Sequence, residues 1–147
     1  MTRYAIIVGA GSGLSAALAR AAAAEGFKLV LVARDIAKLA PMVAELGARA
    51  IACDASEPHA VERLFAVAER DFGVPELVVF NAGYRARGSI IDIDPAEAEA
   101  ALRNNALAGF LVGQGAARLM LPAGKGSIFF TRSEEHTSEL QSLRHIS

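Results

Sequence analysis

Short apolar runs alternate with helix-length segments along residues 1–131, and that alternation limits the chain to very few folds. Residues 4–8, 28–32, 49–53, 76–80 and 127–131 are apolar stretches of strand length bounded by glycine, proline or charged residues, and they read as strands. Between them the pattern predicts helices over 13–25, 36–46, 58–72 and 95–121. Gly26, Gly47 and Gly73 stop the first three, and Pro122 with Gly124 closes the fourth. Val61, Leu64, Phe65 and Ala68 recur at helical spacing, so one face of the third helix is apolar. Strands joined by helices of this length form βαβ units, which means an α/β fold: a doubly wound parallel sheet with helices on both faces, ending after about its fifth strand.

Composition narrows the class. The chain is 53% hydrophobic and 21% charged, with 15 basic and 16 acidic residues and a net charge of −1, so no electrostatic footprint for nucleic acid is expected. Arg20, Glu25, Lys28 and Arg34 interrupt the richest apolar stretch, and the sequence is read as having no membrane span. The start, Met1-Thr2-Arg3-Tyr4, shows no signal-peptide cleavage pattern. A single cysteine, Cys53, excludes an intrachain disulfide and a cysteine-rich metal site. The expectation is a cytoplasmic globular protein.

Residues 132–147 break with this composition. The segment reads RSEEHTSELQSLRHIS, is poor in aliphatic residues and holds two of the three histidines. Its first eleven residues match the forward translation of a common sequencing-library adapter, and Ile146-Ser147 fits the adapter's later bases after a variable index. It is therefore set apart as a non-native tail, and His136, Glu134 and Glu135 carry no metal or acid–base reading.

The first strand runs into Gly9-Ala10-Gly11-Ser12-Gly13-Leu14-Ser15, which opens the first helix. Glycines there let the backbone approach a pyrophosphate, and the helix N-terminus supplies N–H donors, as in a Rossmann-type site. Gly9, Gly11, Ser12, Gly13 and Leu14 are candidate cofactor contacts. The spacing G-x-G-x-x-G fails at Leu14, whereas G-x-x-x-G-x-G fits with Ser15 in place of the last glycine. A purely structural tight turn is the competing reading. At the end of the second strand, where a carboxylate would accept from a ribose 2′-OH, the chain has Arg34. A guanidinium suits a 2′-phosphate, which favours NADP(H) and leaves NAD(H) possible. The alternative is a solvated arginine with Asp35 starting the next helix. Asp54-Ala55 and Asn81-Ala82-Gly83 close the third and fourth strands, where ligands of open α/β sheets bind. Asp54 reads as an acceptor for an adenine amino group or as a helix N-cap, and 81–83 as a close backbone pass or an ordinary turn. Asn104-Asn105 lies mid-helix, a poor place for asparagine, which points to a functional side chain or to a solvent-facing pair. Cys53 reads as a small core residue, His59 as exposed and Tyr84 as a loop aromatic.

Together these residues resemble the short-chain dehydrogenase/reductase family, in its N-terminal cofactor half. The family's glycine motif maps to Gly9, Gly13 and imperfectly Ser15, with Val8 where a threonine is usual. Its adenine-contacting aspartate maps to Asp54 and its N-A-G signature to Asn81, Ala82 and Gly83. Its helix asparagine in N-x-x-x-x-F-L maps to Asn105, before Phe110-Leu111, and the G-x-I opening of its fifth strand to Gly126-Ser127-Ile128. The resemblance implies an oxidoreductase parent acting on a small-molecule carbonyl or alcohol, homo-oligomeric, with Asn105 in the catalytic set. It also implies a serine and a Y-x-x-x-K pair, and neither tyrosine fits: Tyr4 is followed four residues on by Val8, and Tyr84 by Gly88. The expectation is a cofactor-binding piece cut before its catalytic half and inactive by itself. A non-catalytic nucleotide-binding or interaction module is the alternative, disfavoured by an open sheet edge and apolar surface near Leu107, Phe110 and Leu111. A methyltransferase is opposed by Arg34.

Overall fold

A computed structural model describes residues 2–131; the segment read as adapter-derived lies outside the described residues. The elements are β1 (Tyr4–Val8), α1 (Leu14–Ala24), β2 (Lys28–Ala33), α2 (Ala40–Leu46), β3 (Arg49–Ala52), α3 (Pro58–Phe72), β4 (Leu77–Phe80), α4 (Pro95–Leu102), α5 (Ala108–Ala123) and β5 (Ser127–Phe130). The five strands among the described residues are all parallel, in the order β3-β2-β1-β4-β5. The chain winds outward from β1 to β3, then crosses back to place β4 on the other side of β1. That reversal opens a crevice at the carboxyl ends of β1 and β4, the usual ligand position in such sheets.

Successive residues of each central strand serve opposite layers of core. Ile6, Val8, Val30, Val32, Val78 and Phe80 pack with Val61, Leu64, Phe65 and Ala68 of α3 and with Ala108, Val112, Ala116 and Met120 of α5. Ala5, Ile7, Leu29, Leu31 and Val79 pack against Ala16, Ala19 and Ala22 of α1 and against Leu39 and Met42. Strands covered on both faces have no polar side, which is why they appear in the sequence as unbroken apolar runs.

Two helices differ from the sequence expectation. The segment 36–46 is a 3-10 turn (Ile36–Leu39) followed by α2, because Pro41 has no N–H to donate and fits only in a helix's first turn. The stretch from Pro95 is interrupted by a π turn at Arg103–Leu107 and runs on to Ala123, with Pro122 inside its last turn and Gly124 closing it at φ +68°. The helical stretch Pro95–Ala123, 29 residues, is long and apolar enough to cross a membrane by length and composition alone, a test that the core helix of a globular protein also passes. In this fold its α5 part lies on the sheet and on α3, burying Ala108, Val112, Ala116 and Met120.

Among the described residues β5 is a sheet edge, and beside it a groove of about 620 Å³ runs between α5 and β5, lined by Gly109, Phe110, Gly113, Ile128 and Phe130 among others. Phe110 is 60% exposed, whereas Leu107 and Leu111 are half-buried, so the apolar surface centres on the phenylalanines.

A Cβ on Gly115 would lie 2.3 Å from the buried ring of Phe65, so α5 approaches α3 closely only because residue 115 has no side chain. Gly115→Val is expected to lower unfolding free energy by about 1–3 kcal/mol in urea titration, and an unchanged midpoint would contradict that packing. Just past β3, burial pushes the Cys53 thiol up to about 11, with the Asp54 charge adding to the effect. Near pH 8 the native thiol is expected to alkylate about 100-fold more slowly than the urea-unfolded one; equal rates would show that Cys53 is not protected.

Candidate functional site

The crevice is a cavity of about 490 Å³, and the glycine turn forms one wall through Gly9, Gly11 and Ser12. Gly9 has φ +85°, and a Cβ there would fall 2.3 Å from the Ala82 nitrogen and 2.6 Å from the Asn81 carbonyl carbon. The turn can therefore form only by pressing bare backbone onto residues 81–82. The Gly9 and Ala10 N–H groups both donate to the Val32 carbonyl at 2.9 Å, which ties the turn to the end of β2. Positions 11 and 13 look onto open space, with nothing within 4 Å of a notional Cβ. Gly13 is the N-cap of α1 and brings no side-chain acceptor; its carbonyl takes the Ala16 N–H at 3.1 Å, so the Leu14 and Ser15 N–H groups are those left to an outside partner. Leu14 is 55% exposed, and neither it nor Gly13 is part of the cavity lining.

Arg34, Asp54, Ala55, Asn81, Ala82 and Gly83 all line the same cavity, as their positions at strand ends predict. Lys38, which the sequence reading passed over, lines it too, from the 3-10 turn that follows Arg34. Asp35 accepts from the Ala37 N–H at 3.0 Å and caps the 3-10 turn. Asp54 is not the N-cap of α3, a position held by Glu57. Its Oδ1 instead accepts from the Ser56 N–H at 3.0 Å and the Ser56 hydroxyl at 2.8 Å, because two residues is the reach of an aspartate turn. Those bonds, chiefly the hydroxyl, hold the carboxyl below its ordinary range, with the Arg34 and Arg103 charges adding to it. Asp54 is thus an ionised acceptor at the cavity wall.

Asn81 sits at the centre of a polar chain beneath the turn. Its Nδ2 donates to the Ser15 hydroxyl at 2.6 Å, and Ser15 donates to the Gly9 carbonyl at 2.9 Å. The Thr131 hydroxyl donates to Asn81 Oδ1 at 2.5 Å. Neither Ser15 nor Thr131 was singled out as a contact from sequence, although Ser15 marks the motif's one imperfect glycine.

The two helix asparagines separate. Asn105 is exposed, yet its amide is fully engaged: Oδ1 accepts from the Tyr84 N–H at 3.0 Å and Nδ2 donates to the Tyr84 carbonyl at 2.7 Å. It clamps the loop after Gly83. Asn104 lines the cavity, with its Nδ2 donating to the Ala100 carbonyl at 2.8 Å. Both lie in the π turn, an irregularity frequent at functional sites. Neither tyrosine is set up to lose a proton. The buried Tyr4 hydroxyl donates to the Gly73 carbonyl at 2.5 Å, and burial followed by the Glu69 charge raises its pKa. The Tyr84 hydroxyl donates to Glu97, which likewise raises it.

The profile of the family described as short chain dehydrogenase matches residues 3–143, a range that passes residue 131 into the segment read as adapter-derived. Versicolorin reductase 1 of Aspergillus parasiticus is 33% identical over 129 residues, 84% of this chain and 49% of that protein. Gluconate 5-dehydrogenase of Gluconobacter oxydans is 32% identical over 129 residues, with 84% and 50% covered. The solved structure of a short-chain type dehydrogenase/reductase from Mycobacterium marinum superposes with a TM-score of 0.82 at 30% identity, covering 89% of this chain and 56% of that one. The chain spans about half the length of the curated relatives it matches. A match across nearly the whole chain, on a sheet whose crevice carries that glycine turn, makes this protein a member of the short chain dehydrogenase family.

Proposed function

We propose that the whole protein is an NADP(H)-dependent oxidoreductase acting on a small carbonyl or alcohol, and that residues 2–131 are its cofactor-binding part. The observation that carries this reading is the cavity itself, which brings the glycine turn, through Ser12, and the cations Arg34 and Lys38 to one place, with the uncapped start of α1 next in the chain. The residues fit a dinucleotide. Positions 11 and 13 leave room for a diphosphate against the backbone, and the first N–H groups of α1 are donors to it. Asp54, held ionised, accepts from an adenine amino group. Arg34 and Lys38 supply the positive charge that a ribose 2′-phosphate needs, and a carboxylate able to hold a free 2′-OH is absent from position 34.

Bound cofactor supplies or accepts hydride at its nicotinamide. The chain's own residues bind and orient it: Gly9 seats the turn, Asn81 and Gly83 pass beneath the site, and Asn105 holds the following loop. Asn104 is the helix asparagine with access to the cavity. In the family the proton is moved by a tyrosine and lysine in Y-x-x-x-K, a pattern neither Tyr4 nor Tyr84 makes. Their raised pKa values support the reading that this chain binds cofactor without turnover. A lone buried thiol fits a reducing compartment such as the cytoplasm.

Fluorescence titration is expected to show NADPH binding more tightly than NADH. Arg34→Asp is expected to weaken NADPH about 10- to 100-fold while changing NADH little, the size of one charge-assisted phosphate contact. Unchanged NADPH affinity in Arg34→Asp would remove the argument for the phosphorylated cofactor.

A further inference from the structure

The two departures from the glycine motif, Val8 before it and Ser15 at its end, leave a question the cofactor reading does not answer: what Ser15 does. The residue is 1% exposed and makes two hydrogen bonds, one on each side of the turn. Reading donors to acceptors, Thr131 hydroxyl gives to Asn81 Oδ1, Asn81 Nδ2 gives to Ser15 Oγ, and Ser15 gives to the Gly9 carbonyl. Every dipole in this chain points the same way, so each bond polarises the next. The chain joins three segments that are distant in sequence: the exit of β5, the exit of β4 and the turn after β1.

Its end point matters most. The Gly9 carbonyl belongs to the peptide whose N–H, on Ala10, donates to the Val32 carbonyl at 2.9 Å. That peptide is therefore held at its oxygen by Ser15 and at its nitrogen by β2, and residues 10–13 start from a plane with no freedom to rotate. A glycine at position 15 would leave the carbonyl without this partner, and Gly11 and Gly13 beyond it have nothing within 4 Å of a notional Cβ to fix them.

We propose that Ser15 is a positioning residue for the cofactor turn, acting through Asn81 and Thr131 to preset the peptide from which the diphosphate-facing backbone springs. The proposal rests on the cofactor reading for its functional consequence, but the presetting itself is a property of the free chain. With Ser15 held, the N–H groups of the turn are arranged before the ligand arrives, and binding does not have to order them.

The test is made on the full chain with Ser15→Ala, Ser15→Gly and Ser15→Thr. Amide hydrogen exchange without ligand is expected to show Gly9 and Ala10 losing about tenfold in protection in Ser15→Ala and Ser15→Gly, relative to Ile6 and Ile7 on the same strand. Ser15→Thr keeps the hydroxyl and is expected to restore it. NADPH affinity, measured well below the unfolding temperature, is expected to fall about tenfold in the first two variants and recover in the third. Unaltered protection at Gly9 and Ala10 overturns the proposal, as does a uniform loss over the whole sheet, which marks Ser15 as a packing residue only. Should Ser15→Ala fail to fold, Thr131→Val removes the far end of the chain, and a selective loss of protection at the same two amides is again required. Failure of the unaltered chain to bind NADPH sinks the cofactor reading, while the exchange result still decides the role of Ser15.

Discussion

A side chain cannot exist at residue 9, and most of the site follows from that. The Gly9 backbone rests on the peptide joining Asn81 to Ala82, so the turn after β1 and the exit of β4 are one packed unit. The contact requires β1 and β4 to be neighbours, which the sheet order provides, and register to be held so that Val8 faces Phe80. Once seated, the turn lines the cavity through Gly11 and Ser12, and positions 11 and 13 look onto open space. The polar chain from Thr131 through Asn81 and Ser15 works on the same peptide from beneath. Close packing of backbone on backbone places the turn, and hydrogen bonds fix its orientation.

Around this unit the molecule is uneven. The glycine turn, the ends of β2 and β3 and the cations Arg34 and Lys38 make a polar, charged pocket. At the other edge, β5 and α5 present Phe110, Phe129 and Phe130 to solvent beside an apolar groove. A sheet edge with large exposed aromatics is a surface that isolated domains rarely keep. It is in line with a chain that spans about half the length of its relatives.

The fold was legible because its strands are buried on both faces and its helices stop at glycines, two signals that need no tertiary information. The glycine turn and the strand-end residues were legible for a related reason: parallel sheets bind ligands at carboxyl ends, so position along the strand already implied position in the site. What failed to show was anything dependent on phase or register. Asn105 was reached through the family's N-x-x-x-x-F-L pattern, which carries no information on which asparagine faces the cavity; the π turn at Arg103–Leu107 adds a residue and rotates the helix by about 100° before α5 resumes. Thr131 meets Asn81 only because β4 and β5 pair Phe80 with Phe130, an alignment no local pattern encodes. Of the two readings of Asp54, adenine acceptor or cap of α3, the cap does not form, because the two residues to Ser56 give its carboxylate a nearer partner.

The most direct test of the account is a titration of the isotope-labelled chain with NADPH, followed by two-dimensional amide spectra. The account predicts saturable shifts at Gly11, Ser12, Gly13, Arg34, Asp54 and Gly83, with α3 and the groove at Phe110 and Phe130 unchanged. Shifts confined to that groove, or none at millimolar cofactor, would contradict it.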